Sequence, residues 1–186
     1  MELIAAPAIH FTGKHLTGTN IDKITRTIKD LGSIFYDKKA HAALPPDEVV
    51  YEVESFFPVA QDTEGGLFYG ITFIKPGTVG NEYYMTKGHF HTIRNRAEIY
   101  ITMEGEGMLL LMDEQRNTRA EKMTPGSVHY IDVNTAHRTA NTGNTTLSFG
   151  AIWPSDAGHD YSTIKKEGFS KILVNQDGIP ALIDRP

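Results

Sequence analysis

The sequence predicts an all-β sandwich or barrel, on three observations. From Val49 onward it is a succession of short runs rich in Val, Ile, Tyr, Phe and Thr. Turn-forming residues stand between those runs. A His-x-His pair, a nearby Glu and a distant His arrive at spacings that suit one metal ion held inside β-structure.

The elements follow in chain order. Residues 21–31 are expected to form a helix, with Ile21, Ile24, Ile28 and Leu31 on one face, Asn20 as N-cap and Gly32 as stop. Leu44-Pro45-Pro46-Asp47 reads as a connector. The expected strands are Val49–Phe57, Leu67–Lys75, Ala97–Met103, Gly107–Asp113, Ser127–Val133 and Thr146–Trp153. Glu64-Gly65-Gly66, Pro76-Gly77, Glu104-Gly105, Pro125-Gly126 and Asn141-Thr142-Gly143-Asn144 supply turns between them. Many short strands at such spacing indicate a closed or double-sheet architecture. Thr163–Gly168 is expected to make a short helical turn before a last strand near Phe169–Val174. The whole chain, 1–186, is expected to form one domain, with 1–46 as an N-terminal extension carrying a short helix and 47–175 as the barrel core.

Bulk properties narrow the function. With 40 % hydrophobic and 22 % charged residues the chain has the balance of an ordinary globular protein. Its net charge of −5 gives no electrostatic reason to bind nucleic acid or an anionic membrane. There is no cysteine, which excludes disulfides, thiolate catalysis and thiolate metal sites. Any metal must be held by nitrogen and oxygen. No apolar stretch is long enough to span a bilayer. The opening Met-Glu-Leu-Ile-Ala-Ala lacks the basic start of a signal peptide, so a cytoplasmic location is expected.

The chemistry concentrates in Thr86-Lys87-Gly88-His89-Phe90-His91, in Glu98 and in Ala136-His137-Arg138. Side chains at i and i+2 of a strand share a face roughly 6–7 Å apart. His89 and His91 can therefore reach one ion while Phe90 packs behind them. A barrel brings the strands of Glu98 and His137 alongside. An octahedral ion so held keeps two adjacent positions for a bidentate oxygen ligand. His10, His15 and His41 are read as surface residues. His129 is read as structural, on a strand whose side could face the cavity.

The ordered set resembles the two motifs of the cupin superfamily: His-x-His, Glu98 and Gly105 in the first, Pro125-Gly126, His137 and Asn141 in the second. The resemblance implies a double-stranded β-helix, or jelly-roll, barrel. The gap from His91 to Glu98 is longer than usual, and Asp132 and Asn134 stand where many cupins carry Pro and Gly. Thr86–His91, Arg96-Ala97-Glu98-Ile99-Tyr100, Met123-Thr124-Pro125-Gly126, Ala136–Thr139 and Asp156-Ala157-Gly158-His159-Asp160-Tyr161 together look like the cupin-type glucose-6-phosphate isomerases. Val49–Val53 and Gly168–Ile172 fit as well.

That resemblance implies an aldose–ketose isomerase acting on a small sugar phosphate in glycolysis and gluconeogenesis. Its ligands would be His89, His91, Glu98 and His137, around one divalent metal per subunit. Iron(II) comes first, and Mn²⁺, Co²⁺, Ni²⁺ and Zn²⁺ also suit three imidazoles and a carboxylate. Glu98 would double as the base of a cis-enediol route, with a metal-assisted hydride shift as the alternative. His159 would be a proton shuttle. Tyr51, Thr72, Thr86, Lys87, Gly88 and Tyr161 would line the phosphate end, with Tyr100 and Trp153 walling the sugar. Lys87 would alternate away from Thr86 on a regular strand. The family implies a homodimer, and exposed strand edges make one plausible. Two other classes compete: an Fe(II) cupin dioxygenase and a non-catalytic sugar-binding cupin.

Overall fold

A computed structural model describes residues 6–12 and 14–186. The opening segment, on which the signal-peptide reading rests, lies almost wholly outside them. Among the described residues the chain runs β1 (Ile9–Thr12), β2 (His15–Gly18) and β3 (Ile21–Thr27), a 3₁₀ turn (Ile28–Leu31) and helix α1 (Lys38–Ala43). Next come β4 (Val49–Phe56), β5 (Leu67–Ile74), β6 (Thr78–Val79), β7 (Glu82–Tyr83), β8 (Glu98–Glu104) and β9 (Gly107–Met112). The chain ends with β10 (Thr118–Met123), β11 (Val128–Ile131), β12 (Ala136–Asn141), β13 (Leu147–Pro154), α2 (Tyr161–Glu167), β14 (Lys171–Gln176) and β15 (Ile179–Asp184).

The strands form an all-β cupin fold. A six-stranded antiparallel sheet has the order β11-β8-β13-β5-β4-β3, and a three-stranded sheet the order β10-β9-β12. One hydrophobic cluster joins their inner faces: Val50 and Ile74 meet Tyr100, Leu109, Leu111, Ala140 and Phe149. The alternation of β8 shows how sequence sets that geometry. Glu98, Tyr100 and Thr102 turn inward and are buried, whereas Ile99 and Ile101 stay exposed on the other face.

The helix expected over 21–31 is not formed. Ile21–Thr27 is a strand paired with β4, from Ile21 opposite Phe56 to Thr27 opposite Val49. Spacings of three and four apolar residues cannot distinguish a helix from a strand that passes into a 3₁₀ turn, and β-branched Ile and Thr favour the extended form. Asn20 has φ 59°, the left-handed conformation of a tight turn and not an N-cap. The helix of this region is α1, capped where the Asp37 side chain accepts from the Ala40 N–H. Two histidines read as surface residues have partners: His15 pairs with buried Glu54, and His41 Nε2 lies 2.8 Å from the Ile28 carbonyl.

Candidate metal centre and active site

Backbone pairing assembles the first histidine with the last. His89 and His137 exchange backbone hydrogen bonds at 3.2 and 3.0 Å, so His89 extends the three-stranded sheet beyond β12. Their rings are 4.3 Å apart. Phe90 turns to the opposite side and is buried beneath the Arg94 guanidinium, 4.0 Å from its ring centre. Glu98 opens β8 and enters from the facing sheet. The four potential ligand atoms of His89, His91, Glu98 and His137 lie within 4.8 Å of one another.

The hydrogen bonds around this cluster test whether a cation fits. His91 Nδ1 lies 2.8 Å from the Arg96 carbonyl and His137 Nδ1 3.4 Å from that of Thr135. A carbonyl only accepts, so each Nδ1 carries the proton and each Nε2 offers a lone pair. Those Nε2 atoms stand 3.2 and 3.0 Å from the same oxygen, Glu98 Oε2, on a side chain only 6 % exposed. The His137 contact is close but lacks hydrogen-bond geometry, and His89 Nε2 is buried with no partner. Lone pairs aimed at one buried carboxylate repel unless a proton or a cation lies between them. The donor set therefore fits a divalent ion with nitrogen and oxygen ligands.

Protonation follows the same geometry. Burial raises the Glu98 carboxyl, but the His137 and His91 imidazoles outweigh it and hold it at about 2. Burial lowers His89 well below the ordinary imidazole range, and the neighbouring His137, His159 and His91 add to the effect. Burial also lowers His91, yet its hydrogen bond and attraction to Glu98 prevail and its pKa is raised. In the metal-free protein, then, the competing proton sits on His91 below that raised value and must leave before a cation binds. Metal affinity should be full where His91 is neutral and weaken about tenfold per pH unit once pH falls through its raised pKa. Equilibrium dialysis from pH 8 to 5 measures this; a constant affinity across that range would contradict it.

A cavity of about 490 Å³ opens beside the cluster. Of the residues expected from sequence, Tyr51, Thr72, Thr86, Lys87, Gly88, Tyr100, Trp153, His159 and Tyr161 line it, together with His89, Glu98 and His137. His91 does not; it stands behind the cluster. The His159 ring lies 4.4 Å from the His89 ring and stacks on Tyr161 at 5.7 Å and 9°. Burial lowers its pKa. His129 faces elsewhere, bonded to Glu121 and Ser127.

Lys87 faces the cavity because residues 86–88 are not a regular strand, so strict alternation does not apply. Gly88 has φ 72°, and a Cβ there would meet Arg138 at 2.9 Å. Sequence reading missed Arg26, Ser55 and Gln61. Burial pushes the Tyr51 phenol up to about 12, and the nearby Arg26 side chain and Lys87 backbone oppose that shift. Period-two alternation with Ile24, which also lines the cavity, was the available signal for Arg26.

An antiparallel jelly roll around three histidines and a carboxylate defines a cupin. The family described as Glucose-6-phosphate isomerase (GPI) matches residues 25–181. The chain belongs to that family. It is 44 % identical over 165 residues to the glucose-6-phosphate isomerase of Thermococcus kodakarensis, covering 88 % of this chain and 86 % of that protein. Identity to the Pyrococcus horikoshii glucose-6-phosphate isomerase is 42 % over 166 residues, 88 % and 87 % of the two chains. Among solved structures, oxalate decarboxylase from Bacillus subtilis aligns at 18 % identity with a TM-score of 0.44, over 59 % of this chain and 26 % of that one.

Proposed function

We propose that this protein interconverts glucose 6-phosphate and fructose 6-phosphate with a divalent ion, iron(II) first, held by His89, His91, Glu98 and His137. The observation that carries the proposal is the cavity's two-ended chemistry. Three of the four convergent ligands, His89, Glu98 and His137, line the cavity, and so do the cations Arg26 and Lys87 and the hydroxyl-bearing Tyr51, Thr86 and Tyr161. A sugar phosphate has matching ends, an oxygen pair at C1 and C2 and a dianion at C6.

The ion, when bound, supplies Lewis-acid stabilisation of the negative charge that develops on the sugar oxygens. The protein's own groups do the rest. Glu98 remains ionised and moves the proton between C2 and C1. His159, kept neutral by burial, carries a proton at the sugar oxygens and at ring opening. Tyr100 and Trp153 exclude water along the sugar. Thr72, the Gly88 N–H and the hydroxyls orient the phosphate, and Arg26 and Lys87 neutralise it.

Charge-assisted hydrogen bonds contribute about 1.5–3 kcal/mol. Arg26→Ala should therefore raise KM for fructose 6-phosphate roughly 10- to 100-fold in steady-state assays. An unchanged KM would remove Arg26 from the phosphate end. The isomerase itself is tested by following fructose 6-phosphate conversion in a coupled assay without oxygen. Glucose 6-phosphate formation supports it; turnover that appears only with oxygen uptake would instead mark a dioxygenase.

A homodimer belongs to the same proposal. Its support is the outer face at the sheet's edge, where Val128 stands opposite Ile101 and Tyr130 opposite Ile99, all four exposed. Sedimentation as a monomer at micromolar concentration would count against it.

A further inference from the structure

Two carboxylates of the Asp156–Tyr161 run have no task in the reaction described above, although the run delivers His159 and Tyr161 to the cavity. Both are held by arginines from the loop between His91 and Glu98. Arg96 Nε and Nη2 reach Asp156 Oδ1 and Oδ2 at 2.9 and 2.7 Å, a two-pronged contact. Arg94 Nη2 reaches Asp160 Oδ2 at 2.8 Å. The Ile93 N–H donates to the Ala157 carbonyl at 3.0 Å, and Phe90 and Asp160 exchange backbone hydrogen bonds. Gly158, with φ 61°, sits so close to Thr92 that an added Cβ would meet Thr92 Oγ1 at 2.8 Å.

Arg96 connects both sides of the site. Its carbonyl accepts from His91 Nδ1 at 2.8 Å, and its side chain grips the segment that carries His159. The backbone contact survives any substitution at this position, whereas the fork does not. A partly exposed ion pair adds little to global stability, but a planar fork fixes orientation as well as distance.

We propose that Arg96 is a positioning residue: its guanidinium clamps Asp156, thereby seating His159 beside His89, and its effect on turnover passes through His159 and not through the metal. This rests on the isomerase activity proposed above. A reacting group displaced by about 1 Å loses on the order of 10²-fold in rate.

The test uses Arg96→Gln and Asp156→Asn in the full chain loaded with iron(II) or Mn²⁺. Each variant should keep its bound metal and its KM for fructose 6-phosphate within about threefold, lose about 10- to 100-fold in kcat, and show faster amide exchange over residues 156–161. The double variant should lose no more than either single one. In a His159→Ala background, Arg96→Gln should cost nothing further. Wild-type kcat in Arg96→Gln, metal lost in step with activity, unchanged exchange, or a full additional loss in the His159→Ala background would each overturn the proposal. Wild-type holoenzyme that never turns over sink only the isomerase activity, and the exchange measurement then decides whether the clamp exists.

Discussion

His137→Ala is expected to cost the protein its metal and its turnover together. The imidazole is 1 % exposed, its Nε2 lies 3.0 Å from Glu98 Oε2, and its backbone pairs with that of His89. Truncation removes one of four donors and strands the Glu98 carboxylate in a buried site with His91 alone. Loss of an outer partner of a metal ligand already costs about 10- to 100-fold in affinity or activity. Loss of a ligand itself should exceed that, leaving metal content below the wild-type level after dialysis and kcat/KM down by more than about 10³-fold. The backbone pairing does not depend on the side chain, so the strand should persist and circular dichroism should show the same β-structure. A variant that retained both metal and rate would remove His137 from the centre.

Glu98→Gln carries the second large effect and separates holding from proton transfer. The substitution keeps the shape of the side chain and removes its charge, so the ion is bound more weakly but can be restored by saturation. The wild-type carboxyl stays ionised above about 2 because the His137 and His91 contacts outweigh burial. It is therefore anionic throughout the working range, and the acid limb of activity is expected from His91, whose pKa is raised. General acid–base catalysis contributes about 10²–10⁴-fold. With metal saturating, Glu98→Gln should lose kcat by about that factor, measured alongside deuterium uptake from heavy water at C2. A metal-saturated variant within tenfold of wild-type kcat would reduce Glu98 to a ligand and favour a hydride shift.

The barrel was largely legible because its turns are written in residues with few alternatives. Glu104-Gly105 and Pro125-Gly126 bound strands at the expected places, and Gly105 and Gly126 have φ 74° and 86°. The final hairpin was not expected, since the expected strands stop at Val174, although Asp177-Gly178, a tight-turn pair with positive φ at both residues, joins β14 to β15. Residues 21–27 were not legible as a strand, because pairing with β4 is a long-range fact that local periodicity cannot express. That error also concealed Arg26: on a helix its neighbours in space differ, and only as part of β3 does it share the cavity with Ile24 and Tyr51. The four candidate ligands, which the fold brings within 4.8 Å of one another, were legible as a motif, whereas the pairing of Arg96 with Asp156 across sixty residues of sequence was not.

Metal removal and restoration test the central claim most directly. The protein is stripped with a chelator, assayed anaerobically for glucose 6-phosphate formation from fructose 6-phosphate, then resupplied with iron(II) or Mn²⁺ and assayed again. Turnover should vanish on stripping and return on resupply, in proportion to the ion bound by His89, His91, Glu98 and His137. Full turnover by the stripped protein, or none after the four-ligand site has been refilled, would contradict a metal-dependent sugar-phosphate isomerase.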